Sequence, residues 1–169
     1  MRFQQSEDPL LLPVRGQELP LSGAALQDLM RAVLGRGAAF RFCARGWSMT
    51  PFIRDGDVIT VSPLRRGRAG IGEVVAFVRP GHGNLVVHRV VARCGASSFI
   101  RGDGVPGASD GVIPPENLLG RVTRVERNGR DVWLGLGPER YAIAWLSRTQ
   151  RLIPLGVRLP SWLKRPLRR

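Results

Sequence analysis

The sequence predicts a mainly β protein, a curled or partly closed antiparallel sheet with an N-terminal helix and a basic, helical C-terminal tail. Three observations carry that expectation. From residue 40 onward apolar residues recur with a period of two in short runs. Clusters of Gly, Pro and Asp separate those runs. Before residue 37 the apolar spacing is helical instead.

Residues 21–36 place Leu21, Ala25, Leu26, Leu29, Met30, Val33 and Leu34 on one helical face, with Ser22 as N-cap and Gly35 and Gly37 as stops. Strands are expected at about 40–45, 57–62, 73–79, 85–92, 97–101, 118–127 and 131–134. Pro138 and Glu139 suit the first turn of a helix over 139–152, where Ala142, Trp145, Leu146 and Ile153 gather near one side among arginines. Pro154, Pro160 and Pro166 then break the chain into short pieces. The organisation is an extension and helix at 1–37, a β domain at 38–135 and a basic amphipathic tail at 136–169, a length suited to one core.

The net charge of +13 is carried almost wholly by arginine, since Lys164 is the sole lysine. Residues 1–40 hold four basic and four acidic side chains, 41–137 fourteen and eight, and 138–169 eight and one, so the excess is steepest in the tail. Such a surface attracts polyanions, either nucleic acid or an anionic bilayer face. The 40 residues before the β domain offer one helix and no helix-turn-helix pair, which argues against nucleic acid. Residues 139–169, with Trp145, Trp162 and Leu163 among arginines, match an interfacial segment, and equally a helix packed on the β domain. The Leu10–Leu12 run is closed by Pro9 and Pro13, unlike a secretory signal, and no window reaches the roughly 18 to 20 apolar residues of a spanning helix. The expected location is therefore peripheral at a membrane or cytoplasmic. Cys43 and Cys94 lack CxxC spacing and are expected as buried thiols.

Gly46-Trp47-Ser48-Met49-Thr50-Pro51, followed by Asp55-Gly56-Asp57, surrounds a serine with backbone constraints. Gly46 permits positive φ and Pro51 biases Thr50 toward extended backbone, so Ser48 belongs to a tightly defined turn. Such a turn suits a nucleophile with nearby N–H donors, although a serine in a Gly/Pro turn usually makes only local hydrogen bonds. His88 interrupts the apolar run Leu85–Val91 and shares a face with Val86 and Val90. It reads either as a core histidine with a satisfied ring or as a general base. Asp103 and Asp110 lie in glycine-rich segments that read as solvated turns, or as the source of a carboxylate that orients His88. His82, in Pro80-Gly81-His82-Gly83, reads as a hairpin tip. A metal site from His82, His88, Cys94 and Asp103 fits no zinc spacing, and neither metal nor cofactor is expected.

The ordered set Gly46 to Asp57, then His88-Arg89-Val90, then Gly102-Asp103 with Asp110, resembles the motif order of the signal-peptidase clan over about residues 38–127. That clan includes type I signal peptidases and self-cleaving repressors of the LexA type. Typical bacterial members have a lysine base, whereas the endoplasmic-reticulum and archaeal branch has histidine at that place, as His88 is here. The resemblance implies Ser48 as nucleophile, His88 as base, and Asp110 as orienter, with Asp103 supporting the site or exchanging that role. It also assigns Gly46 and Met49 to the substrate and oxyanion region. Gly46 stands where bacterial members often carry an oxyanion-stabilising serine, which leaves more of that task to the Ser48 N–H. The implied activity is a serine endopeptidase cleaving extended pre-protein or leader peptides with small residues before the cleaved bond. The competing expectation is a binding module of the same fold that attaches to acidic membrane or nucleic acid through its arginines.

Overall fold

The computed structural model describes residues 23–104 and 109–149. Helix α1 spans Gly23–Gly35; eight strands follow, β1 (Phe40–Cys43), β2 (Val58–Ser62), β3 (Val74–Val78), β4 (Leu85–Cys94), β5 (Ser97–Arg101), β6 (Ser109–Ile113), β7 (Leu118–Arg127) and β8 (Arg130–Asp131); helix α2 spans Arg140–Arg148. The strands form one antiparallel sheet, not closed, in the order β1-β2-β7-β3-β4-β5-β6, with β8 paired to β7.

The sheet buries both faces because its alternation is apolar on both. In β3, Val74 and Ala76 join a core with Met30, Leu34, Ile59, Val61, Val122 and Val125, which α1 covers. Val75 and Phe77, one residue out of phase, face a second core with Val90, Ile100, Ile113 and Leu118. Register shifts at Thr60/Val61, Ala76/Phe77, Val90/Ala92 and Ile100/Arg101 interrupt four ladders. Such irregularities bend strands and raise local twist, which is how one sheet comes to enclose two apolar layers.

Several expectations change. Residues 109–113, read as a glycine-rich loop, form β6, because Asp110 and Gly111 are followed by Val112 and Ile113 and the segment finds a ladder on β5. The strand expected at 131–134 is only the two-residue β8, and Trp133 and Leu134 are exposed beyond it. Helix α2 ends at Arg148, four residues short of the expected limit, and lays Ile143, Ala144 and Ser147 onto the β domain. Cys94 is exposed and Cys43 half-buried, so neither is the interior thiol expected: Cys94 closes β4 at the turn into β5, and Cys43 ends an edge strand. Ser22, the residues 1–22 and the proline-broken stretch from Ile153 onward lie outside the described residues.

Gly120 shows how tightly the layers meet. A Cβ there would lie 2.6 Å from the Ser62 carbonyl oxygen, 2.6 Å from Val61 Cγ1 and 3.1 Å from Leu34 Cδ1. The backbone oxygen cannot step aside without breaking the β2–β7 ladder. Gly120→Ala is therefore expected to destabilise the fold by about 2 kcal/mol, seen as a lower denaturant midpoint with unchanged slope; an unchanged midpoint would show that β7 has room to shift.

Candidate active site

Ser48 sits in the connection between β1 and β2. Gly46 adopts a φ of 95°, and its N–H donates to Asp55 Oδ1 at 2.8 Å. After Ser48 the chain makes a single helical turn, with Ile53 N–H donating to the Met49 carbonyl at 3.1 Å. Asp57 closes the connection: its Oδ2 accepts the Arg54 N–H at 2.8 Å and the Arg127 guanidinium at 2.7 Å. Burial pushes the Asp57 carboxyl up, but Arg127 and the Arg54 N–H outweigh it and hold it below its ordinary value. The Gly-Asp pair after the serine is thus a structural clasp.

His88 lies on β4 at the last residue before β5 begins to pair. Its Nδ1 is 2.5 Å from Asp110 Oδ2, and its Nε2 is 2.7 Å from Ser48 Oγ. A carboxylate can only accept, so Nδ1–H donates to Asp110 and Nε2 is left to accept the Ser48 hydroxyl proton. The ring packs 6.3 Å from that of Phe77, in the apolar layer shared by Val86 and Val90. Three side chains from a turn, a strand and a second strand, spread over 63 positions of sequence, therefore form one hydrogen-bonded chain with the hydroxyl at its solvent end.

The other oxygen of Asp110 is held by Arg79, whose Nε donates at 3.0 Å and whose Nη2 also binds it. Burial would push the Asp110 carboxyl up, but hydrogen bonds and charge from His88 and Arg79 together hold it below its ordinary value. No sequence pattern marks Arg79, which follows β3 without any motif around it.

Asp103 does not reach His88. Its two oxygens accept from Arg89 Nε and Nη2 at 2.7 to 3.0 Å, and Oδ1 also accepts from Ser147 Oγ of α2 at 2.7 Å. Alternation is the reason: Arg89 follows His88 on β4 and so points to the opposite face, and Asp103 follows it there. Both side chains are fully buried, and Arg89 Nη1 donates to the carbonyls of Gly72 and Gly135, each at 2.8 Å.

Gly102 and Gly104 explain themselves by contact. A Cβ on Gly102 would lie 2.7 Å from the Ser48 carbonyl oxygen and 3.0 Å from His88 Nε2; one on Gly104 would lie 2.7 Å from the Thr50 carbonyl oxygen. Gly104 N–H donates to the Ser48 carbonyl at 2.8 Å. Backbone thus runs directly against the serine turn.

Of the two residues expected in the oxyanion and substrate region, Gly46 has its N–H committed to Asp55 and cannot supply a donor. Met49 is buried in the core beneath α1 and forms part of the cleft wall. The Ser48 N–H makes no hydrogen bond to the described residues. Two depressions flank Ser48 and His88. A cleft of about 710 Å³ runs between α1, β1 and the start of β4, and a groove of about 510 Å³ lies on the side of Arg79, His82, Asp110 and Val112. His82 is exposed at the β3–β4 hairpin tip. Among the described residues no group of His, Cys, Asp and Glu could hold a metal ion.

Neither the protein-family models nor the curated proteins searched give a match. The residues of the site alone carry its chemistry.

The Asp110 carboxyl is favoured in its ionised form by the fold, so its contribution to stability is complete above the ordinary carboxylate range near 4 and is lost as pH falls through the depressed value. The stability gap between the native chain and Asp110→Asn is expected to be widest above about pH 5 and to close as pH drops past about 4. Denaturant titrations across that range measure it, and a gap undiminished at low pH would contradict the ion-paired arrangement.

Proposed function

We propose that the protein is a serine endopeptidase of the signal-peptidase type, acting on extended pre-protein or leader peptides. The observation that carries the reading is the chain Ser48 Oγ to His88 Nε2 at 2.7 Å and His88 Nδ1 to Asp110. The motif order that resembles the signal-peptidase clan, with its histidine-base branch, supports the same assignment.

The chemistry follows from the proton positions. Ser48 Oγ attacks a peptide carbonyl while Nε2 takes the hydroxyl proton. Asp110 stabilises the imidazolium that forms and keeps the ring in the tautomer that can accept. The Ser48 N–H, with no acceptor among the described residues, is the donor available to the developing oxyanion. Collapse transfers the proton to the leaving amine and leaves an ester on Ser48. Water then gives its proton to Nε2, attacks the ester, and restores the hydroxyl.

The cleft supports an extended peptide. Among the described residues β1 pairs only with β2, and residues 85–88 of β4 pair only with β3, so both strands present edges without a partner among those residues. Phe42, Cys43 and residues 85–88 bring those edges to the cleft, where backbone hydrogen bonds would bind a strand and apolar walls would choose its side chains.

No helix among the described residues is long and apolar enough to cross a membrane. Work at a membrane surface is supported by exposed Trp133, Leu134, Tyr141 and Trp145, and by the sequence of residues 138–169 with its eight basic residues and one acidic one.

Incubation with leader peptides tests the reading. Ser48→Ala and His88→Ala are expected to abolish cleavage, and Asp110→Asn to reduce kcat by about 10⁴ through loss of the correct tautomer. Equal cleavage by native protein and Ser48→Ala would remove the proposal.

A further inference from the structure

A separate cavity of about 250 Å³ lies at the opposite end of β3 from the hairpin that carries Arg79. It is lined by Arg65, Glu73, Arg121, Thr123 and Arg140 and shares no lining residue with the cleft or the groove at Ser48. Arg121 comes from β7, Arg140 opens α2, and Arg65 begins the short turn Arg65–Gly67 between β2 and β3.

Two features of this cavity are not accounted for by the fold. The Nε atoms of Arg121 and Arg140, two of its lining residues, are buried and have no hydrogen-bond partner among the described residues. A buried guanidinium N–H without an acceptor is costly, and native structures seldom leave one unless a ligand or ion completes it. The charge is also unbalanced. Glu73 is the one acid in the lining, against three arginines. Its Oε2 accepts the Gly70 N–H at 2.8 Å, and its Oε1 is 3.9 Å from Arg121 Nη1, beyond hydrogen-bond reach.

We infer that this cavity binds a phosphate monoester dianion, with the guanidinium groups of Arg121 and Arg140 turning to donate to its oxygens and Arg65 closing the mouth. Planar guanidinium groups match phosphate oxygens in geometry, and a formal excess of two positive charges matches a dianion better than a monoanion. The ester can belong to a soluble molecule or to a lipid headgroup. The site does not depend on whether Ser48 is a nucleophile.

Calorimetric titration of the full-length protein with inorganic phosphate at fixed ionic strength is the test. One saturable site is expected, weakened at least about tenfold in Arg121→Gln and tightened about fivefold in Glu73→Gln, which removes the opposing charge but keeps an acceptor for Gly70. Exposed Arg130→Gln leaves the affinity unchanged. Flotation with phosphatidylcholine vesicles separates the sources. Preference for added phosphatidic acid over phosphatidylglycerol, lost in Arg121→Gln and competed by inorganic phosphate, assigns a lipid headgroup; phosphate binding without that preference assigns a soluble ester. Should Arg121→Gln fail to fold, Glu73→Gln decides. Absence of saturable binding, or the same affinity in native protein and Glu73→Gln, overturns the inference and leaves diffuse attraction to the basic tail.

Discussion

The buried pairing of Arg89 with Asp103 is the constraint on which the rest of the site depends. A guanidinium can be enclosed in a protein of this size only when its donors are met, because removing one partner of such a pair typically costs about 3 to 5 kcal/mol. Here Asp103 takes Nε and Nη2, and the carbonyls of Gly72 and Gly135 take Nη1. Those acceptors come from the segment after β5, the approach to β3 and the approach to α2. Ser147 adds α2 itself through Asp103. One arginine thereby fixes four parts of the chain relative to β4.

Alternation converts that bracket into site geometry. Residues adjacent along an extended chain face opposite ways. With Arg89 and Asp103 locked together on one side, His88 and Gly102 are presented on the other, where Ser48 lies. Glycine at 102 is then a requirement of space, since any side chain would enter the region between the Ser48 carbonyl and the imidazole. The Gly104 to Ser48 hydrogen bond holds the turn at the distance this leaves. The two aspartates separated by six intervening residues have different duties for the same reason: Asp103 neutralises a buried cation, while Asp110, carried onto β6, divides its two oxygens between His88 and Arg79.

Much of this was legible from residue types in order. Period-two runs located β2 to β5 and β7, because their faces are built from valine and isoleucine, and the helical spacing of Met30 and Leu34 located α1. The pairing of Ser48 with His88 was an implication of the resemblance to the signal-peptidase clan; the constrained serine turn and the polar ring in an apolar strand left a local turn and a core histidine open as readings. The choice between Asp103 and Asp110 was not legible, since it depends on which way a bulged ladder turns each side chain. β6 escaped because Asp110 and Gly111 look like turn formers, and strand pairing with β5 overrides that local preference. Arg79 escaped for a different reason: an arginine that closes a charge chain carries no periodic or spacing signal. The thiols escaped because burial of a cysteine depends on where its strand ends.

Placement of the three linked side chains on unequal supports has a mechanical consequence. His88 and Asp110 belong to the sheet, with apolar layers against the imidazole and an arginine against the carboxylate, so their separation is set by strand geometry. Ser48 belongs to a turn, and turns are ordinarily the softer element. This turn is instead tied at four points: Gly46 to Asp55, Arg54 to Asp57, Asp57 to Arg127, and Ser48 to Gly104. The ties hold the backbone of the turn and leave Ser48 Oγ with His88 Nε2 as its partner beside the cleft. A sheet-borne imidazole–carboxylate pair and a serine turn clamped through its backbone hold the three side chains in one geometry, and such preorganisation is what the proposed attack on a bound carbonyl would need.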